Sequence, residues 1–183
     1  MSIQIYILSK LMEENNYPYK LKKELSEPIP FDKLGNLTES KLYYHFESLS
    51  KQGLVEPREV IKEEHRPDKQ VFAITDKGRE QLPVKIYELF KKADKVAEMT
   101  VGLMFLRYVE KERVVQILEQ KLEKMRSKES YLNGIFKQIP AEVAVMEMVE
   151  FSHDYFSDMM SKEIFWLDHL IEKLKRNGNH SQL

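Results

Sequence analysis

One segment, residues 37–55, constrains the fold of this chain more than any other, and it reads LTESKLYYHFESLSKQGLV. Leu42, Phe46 and Leu49 recur at helical spacing and predict one buried stripe. Thr38 is placed to accept hydrogen bonds from the free amides of the first helical turn. Gly53 suits the left-handed conformation that ends many helices, and the apolar residues after it start a strand. The segment therefore predicts a capped amphipathic helix that leads directly into a β-strand.

The face of this helix that points away from the buried stripe is polar. Its outward side chains are Ser40, Lys41, Tyr44, Ser48 and Lys51, with Tyr43 on the flank. Such groups reach base edges and phosphates when a helix enters the major groove. A helix with this face, followed by a β-hairpin, is typical of a winged-helix DNA-binding domain.

Composition favours long helices and excludes several kinds of site. The chain has 183 residues, of which 42% are hydrophobic and 32% are charged, and it contains six glycines and no cysteine. Disulfides, thiol catalysis and cysteine-ligated zinc are therefore excluded. No apolar run approaches the roughly 18 residues of a membrane span, and no basic flank with an apolar leader opens the chain. We expect a soluble, cytoplasmic protein that does not contact membranes.

The charge balance opposes the DNA hypothesis. The first 80 residues hold 13 lysines and arginines against 14 aspartates and glutamates. Proteins that bind DNA normally carry a basic surface, because neutralised phosphates and released counterions dominate the affinity. Any basic surface here must come from local clustering.

The order of predicted elements around the opening segment is helix, helix, helix, hairpin, helix. Apolar spacing predicts helices over residues 2–14 and 19–25, and strands over residues 54–60 and 70–75. Thr75 is expected to cap the next helix. Pro83 is expected to restart that helix at a first-turn position, where its missing N–H costs little.

Beyond Pro83 the chain is predicted to be almost entirely helical, over residues 85–108, 112–138 and 140–174. The last of these helices is apolar on more than one side, so it needs more partners than its own subunit provides. A second copy of the chain is the simplest source. We therefore expect a mainly α protein with a winged helix-turn-helix domain (1–80), an all-helical dimerisation domain (81–175) and a flexible tail (176–183).

Several sequence blocks resemble the PadR family of bacterial transcriptional regulators, specifically its longer-tailed subgroup. The segments YKLKKEL (19–25), LYYHF (42–46), QGLV (52–55) and TDKGR (75–79), and the pair Trp166-Leu167, are similar to family motifs. Two positions depart from the family pattern. Pro18 replaces the glycine before the tyrosine of the second helix, and the hairpin tip carries Glu63 and Glu64 instead of glycine and basic residues.

The resemblance implies a homodimeric repressor that binds a palindromic operator and is released by an effector. It implies a phosphate contact for the Tyr43 hydroxyl, and it makes Arg66 and Lys69 the basic residues of the wing. Tyr19 and Lys20 begin the second helix, where a helix N-terminus favours phosphate. The alternative is that the lysines form an ordinary solvated face and that Tyr43 is half-buried and serves packing.

The methionines and aromatic residues beyond residue 96 also suggest an effector pocket, since methionine side chains adapt to varied ligands. Trp166 and Met159 are the candidates, and the alternative is plain core or dimer interface. His153 and His169 lie sixteen residues apart without recognisable metal-ligand spacing. We expect no catalytic residues, no metal and no cofactor. Two rival hypotheses remain: a winged-helix dimer used for protein–protein contact, and a small helical hydrolase that uses the two histidines.

Overall fold

The computed structural model describes residues 2–26, 39–62, 68–139 and 146–176, with only the backbone of residues 26, 39 and 40. The first elements are α1 (Ser2–Glu13), α2 (Pro18–Ser26), α3 (Glu39–Lys51), β1 (Val55–Ile61), β2 (Lys69–Ile74) and α4 (Asp76–Lys92). They are followed by a 3-10 turn (Val96–Met99), α5 (Thr100–Met104), a second 3-10 turn (Leu106–Tyr108), α6 (Lys111–Phe136) and α7 (Met146–Arg176). The predicted mainly helical class and the predicted element order around the hairpin are confirmed. The predicted cap at Thr38, the predicted role of Arg66, the start of the last predicted helix at residue 140 and residues 177–183 of the predicted tail lie outside the described residues.

The chain forms two compact units. The first comprises Met1–Leu89 and Val101–Val109, and the second comprises Phe90–Thr100 and Glu110–Leu183. The domain boundaries at residues 80 and 175 stay predictions. None of the helices in the described parts of the chain combines the length and the apolar character that a membrane span requires.

The core of the first unit joins α1, α2, α3 and α4. Its fully buried side chains are Ile5, Ile7, Leu8, Leu21, Leu42, Phe46, Leu49, Leu82 and Ile86. The Tyr6 hydroxyl lies inside this core and donates to the carbonyl of Leu21 at 3.1 Å. That bond satisfies a polar group that would be costly to bury alone.

The hairpin is an antiparallel pair in which Val55 lies opposite Ile74, with an irregularity between Pro57 and Glu59. Asn16, in the loop after α1, extends the sheet by exchanging two backbone hydrogen bonds with Phe72, at 2.9 and 3.0 Å. The Phe72 ring packs against Phe46 of α3 with centroids 4.8 Å apart. The hairpin is therefore fixed to the helices at its base.

The prediction that Pro83 restarts a helix is wrong, because Pro83 lies inside α4. An interior proline removes one helical hydrogen bond and costs about 3 kcal/mol. Leu82 and Ile86, which flank it, are fully buried, and each such side chain contributes about 1.5–3 kcal/mol. Burial of the neighbouring residues thus outweighs the defect.

The prediction of continuous helix over residues 85–108 is also wrong, since α4 ends at Lys92 and short turns follow. The ammonium group of Lys121, on α6, donates to the carbonyls of Lys91 and Ala93 at 3.1 and 2.6 Å. Carbonyls at a helix C-terminus lack helical hydrogen-bond partners. The Lys121 ammonium supplies donors to these two carbonyls. The Glu98 carboxylate accepts from the amide of Asp94 at 3.0 Å and holds the turn that follows.

In the second unit, α6 and α7 form a helical hairpin. Its buried side chains are Val114, Val115, Leu118, Leu122, Leu167, Ile171 and Leu174. Polar contacts continue along it: Arg126 pairs with Asp168 at 3.0 Å, and Lys175 pairs with Glu119 at 2.6 Å. All of the buried residues of α7 lie at its C-terminal end, so its N-terminal half packs much less tightly.

Candidate nucleic-acid interface

The two faces of α3 differ as the sequence predicts. Leu42, Phe46 and Leu49 are at most 1% exposed, which confirms the buried stripe. On the other side, Tyr43 and Tyr44 are 49% and 68% exposed, and Lys41 and Lys51 are also exposed. The helix therefore presents two phenolic hydroxyls and two ammonium groups to solvent.

The C-terminus of α3 is held by a network of backbone hydrogen bonds. The amides of Gly53 and Leu54 donate to the carbonyls of Ser50 and Leu49, both at 2.9 Å. This is a Schellman motif, and it requires the left-handed conformation that Gly53 adopts, with φ of 69°. The predicted role of Gly53 is confirmed.

Thr75 joins the end of α3 to the start of α4. Its hydroxyl accepts from the amide of Gly78 at 3.0 Å, which confirms the predicted cap. The same hydroxyl donates to the carbonyl of Gly53 at 2.7 Å, and the Lys77 ammonium donates to that of Gln52 at 2.8 Å. A Cβ on Gly78 would lie 2.1 Å from the Leu54 carbonyl oxygen, so only glycine fits there. The position of α3 relative to the hairpin is thereby fixed.

A carboxylate that the sequence analysis did not select lies among the outward residues of α3. Glu47 pairs with Lys51 at 2.7 Å, and both side chains are mostly exposed. The hydrogen bond from Lys51 lowers the pKa of the Glu47 carboxyl, and Glu47 in turn raises the pKa of Lys51. The spacing of four residues is a signal that the sequence already contains. Ser48, beside the pair, accepts a hydrogen bond from the Gln52 side chain at 3.1 Å.

The candidate residues of α2 and the hairpin have contacts of their own. Tyr19 is 52% exposed. Lys20 pairs with Glu14 at 2.5 Å and lies 3.9 Å from Glu24. Lys69, at the end of the hairpin nearest its tip, places its ammonium 5.4 Å from the centre of the Tyr17 ring.

The structure thus brings Lys41, Tyr43, Tyr44, Ser48 and Lys51 together on α3. The side chain of Ser40 and the whole of Arg66 lie outside the described residues. A surface depression of about 670 Å³ separates α3 from the hairpin and is lined by Tyr43, Tyr44 and Glu47 on one side and by Pro57 and Gln70 on the other.

A second cavity, of about 280 Å³, lies between the C-terminal half of α6 and the N-terminal half of α7. His153 stacks on Phe136 with ring centroids 3.8 Å apart, and its Nε2 lies 3.0 Å from the Asn133 side-chain oxygen. Trp166 and Met159 are not among the residues that line this cavity. Trp166 is 56% exposed and contacts the rings of Phe165 and His169.

The histidine pair proposed for a hydrolase gains no support from its surroundings. Within the described residues, no three histidine, aspartate or glutamate side chains are grouped so that they could hold a metal ion. His153 is instead occupied by its ring stacking and its contact with Asn133.

The chain is similar to several solved structures. Bacillus subtilis PadR in complex with operator DNA is 16% identical, with 95% of this chain and 99% of that chain covered and a TM-score of 0.41. The protein smu.1604c from Streptococcus mutans is 16% identical, with 95% and 96% covered and a TM-score of 0.41. The PadR-like regulator BC1756 from Bacillus cereus is 17% identical, with 96% and 99% covered and a TM-score of 0.37.

No curated protein matches the chain. A family model described as "Transcriptional regulator PadR-like family" matches residues 7–84, which include all of α2, α3 and the hairpin. Over these residues the chain matches the PadR-like family of transcriptional regulators.

Proposed function

We propose that this regulator binds duplex DNA as a homodimer, with α3 of each subunit in the major groove, and that it represses transcription until an effector releases it. The exposed face of α3 carries this proposal. It combines two tyrosines and two lysines on a helix whose end is fixed by Gly53, Thr75 and Lys77. A rigid helix with such a face suits groove binding, because base contacts need accurate positioning.

We assign Lys41 and Tyr44 to the groove and the Tyr43 hydroxyl to a phosphate. Ser40 and Ser48 lie along the same helix. Tyr19 and Lys20 would hold the backbone on one side, and Lys69 and Arg66 of the hairpin would hold it on the other. This arrangement follows the docking geometry of helix-turn-helix domains, in which one helix reads the groove and flanking elements hold the backbone.

Electrostatics limits the affinity of one such domain. Lys20 and Lys51, two of its cations, are already paired with Glu14 and Glu47 in the free protein. DNA must displace these carboxylates before the lysines can neutralise phosphates. We therefore expect one domain to bind weakly and the dimer to be the active form.

The exposed apolar stripe of α7 supports the dimer. Met148, Tyr155, Met159 and Trp166 follow each other at spacings of seven, four and seven residues, which places them on one line along a helix. Met148, Tyr155 and Trp166 are each more than half exposed. Exposed apolar side chains aligned in this way favour an interaction site. Two-fold pairing along it would predict a palindromic operator with half-sites about 34 Å apart.

The cavity between α6 and α7 offers a place for the effector, in addition to the predicted Trp166 and Met159. Its lining is mostly apolar, with polar groups that include those of Asn133, His153 and Glu129. Ligand sites commonly combine an apolar lining with a few polar groups. Since Glu129 is its charged residue, we expect a neutral or cationic aromatic effector.

A titration of random duplex with the purified protein tests DNA binding. We expect binding at about 50 mM salt and a roughly hundredfold loss of affinity at about 200 mM, as for about four neutralised phosphates. No binding at the lower salt concentration would contradict the proposal.

A second function keeps the fold but replaces DNA with a protein partner. The near-neutral first 80 residues and the paired state of Lys20 and Lys51 favour it. The same titration separates the two functions, because a protein-binding module would show no salt-dependent affinity for duplex.

A further inference from the structure

Glu47 occupies a central position on the outer face of α3. Residues 40, 44, 47 and 51 follow each other at spacings of four, three and four, so they form one line along the helix. Leu42, Phe46 and Leu49 are buried on the opposite side. Glu47 also borders two surface depressions: the one between α3 and the hairpin, and one formed by Tyr44, Glu47, Ser48, Lys51 and Gln52. Any duplex that approaches this face must meet the carboxylate.

The ion pair between Glu47 and Lys51 has consequences for DNA of any sequence. The carboxylate repels phosphates. It also holds the Lys51 ammonium in an ion pair, with 2.7 Å between the lysine nitrogen and the carboxylate oxygen. Because both side chains are mostly exposed, the pair is weak and can open when a better partner is available. DNA that offers Glu47 no hydrogen-bond donor therefore binds against a repulsive group and with one cation withheld.

A base edge can supply that donor. In the major groove, the N4 amino group of cytosine is the donor that pairs with a glutamate carboxylate. We propose that Glu47 is a specificity-determining residue that accepts a hydrogen bond from the N4 amino group of a cytosine, while Lys51 turns to a phosphate. This inference rests on the proposed DNA binding by α3.

The neighbours of Glu47 suit this role. Tyr44, one turn earlier, is 68% exposed and borders both depressions, so its ring packs beside any base edge that Glu47 contacts. The Ser48 hydroxyl, beside this line, already accepts a hydrogen bond from the Gln52 side chain. Glu47 is the charged acceptor at the middle of the line. A site built in this way gains discrimination more than affinity, since the carboxylate penalises DNA without a correctly placed cytosine.

Two variants separate the charge of Glu47 from its role as an acceptor. Glu47→Gln removes the charge and keeps a carbonyl oxygen, whereas Glu47→Ala removes both. We expect both variants to bind random duplex several-fold more tightly. The slope of log K against log salt should steepen by about 0.9, because Lys51 is freed to neutralise one more phosphate.

Base preference is measured by selecting bound fragments from a random duplex pool and sequencing them. We expect the wild-type pool to be enriched for cytosine at one position of each half-site, and the Glu47→Ala pool to lose that preference about tenfold. Identical pools from the wild type and Glu47→Ala would overturn the inference, and so would an unchanged salt slope in both variants.

The chain provides a matched control for net charge. Glu172 forms an ion pair with Arg176 at the same spacing of four residues, at the end of α7 in the other unit. Glu172→Gln should leave the random-duplex affinity, the salt slope and the selected sequences unchanged. Equal effects from Glu172→Gln and Glu47→Gln would overturn the inference. A wild type that binds no duplex at low salt would instead overturn the proposed function, so the two failures are distinguishable.

Discussion

The first unit and the α6–α7 hairpin expose different kinds of aromatic side chain. Among the described residues of the first unit, the aromatic residues in the exposed class are the tyrosines Tyr19, Tyr43 and Tyr44. The hairpin exposes phenylalanines and its tryptophan as well, namely Phe151, Phe156, Phe165 and Trp166. A tyrosine offers a hydroxyl to a polar partner, whereas a phenylalanine needs an apolar one.

We infer from this contrast that the two regions suit different kinds of partner. The first unit fills its own core and exposes tyrosines and lysines on α3. The hairpin buries one side of α7 only at the C-terminal end and leaves a second apolar side uncovered. The variants below test whether the first unit is complete by itself and whether the hairpin requires a second copy.

The largest effect is expected from a charge on the uncovered side of α7. Tyr155→Lys should raise the dimer dissociation constant about a thousandfold, because the side chain would occur twice in a two-fold interface at about 2 kcal/mol per copy. Sedimentation measures the change. Trp166, the one tryptophan of the chain, reports it independently, since its emission should shift to the red as the dimer separates.

Val84→Lys is the control for this variant. Val84 is an exposed apolar residue of the first unit, so its replacement should leave the association state unchanged. If Tyr155→Lys associates as tightly as the wild type, the contrast between the two regions does not reflect dimerisation through this side of α7.

The next largest effect is on stability and tests how tightly the first unit is packed. Gly78→Ala should destabilise the protein by roughly 3 kcal/mol, because the added Cβ would meet the carbonyl of Leu54 and the side chain of Ile74. Thermal and denaturant unfolding measure it, and failure to fold cooperatively agrees with the same account.

Gly134→Ala gives the matched comparison in α6. A Cβ at Gly134 would meet nothing within 4 Å, so alanine should stabilise the helix by up to about 1 kcal/mol. Equal effects at the two glycines would show that the first unit is no more tightly packed than the hairpin.

The smallest effect is a pH dependence that originates in α3. Burial lowers the pKa of His45 from its usual value, so the unfolded chain binds a proton more readily than the folded one. Stability should therefore fall as the pH drops from about 7.5 to about 5.5, a window around the ordinary pKa of histidine. The carboxyls of Glu14 and Glu47, whose pKa values are also lowered, titrate below this window.

Melting temperatures across this window measure the effect. His45→Gln should show a weaker dependence on pH than the wild type. If the dependence is the same in both proteins, His45 does not contribute to it.

Much of α3 and its two faces could be predicted, because the sequence signals that determine them are local. The stripe of Leu42, Phe46 and Leu49, the helix end at Gly53 and the cap at Thr75 each depend on residues within a few positions of one another. Short-range periodicity and capping rules capture such features.

The wrong predictions depend on contacts that local patterns do not contain. Helix α4 ends at Lys92 because Lys121, about thirty residues later, supplies donors to its last carbonyls. It continues through Pro83 because Leu82 and Ile86 are buried by the rest of the unit. Glu47 is different: a carboxylate is not expected on a face that approaches phosphates, and its only local signal is the spacing of four residues to Lys51.

We propose that α3 reads DNA as one half of a two-fold dimer. Sequencing the duplex fragments that the wild-type protein retains from a random pool tests this claim most directly. We expect an enriched inverted repeat whose half-sites lie about one helical turn apart. A retained pool with the same sequence composition as the input, or with a single unrepeated site, would contradict it.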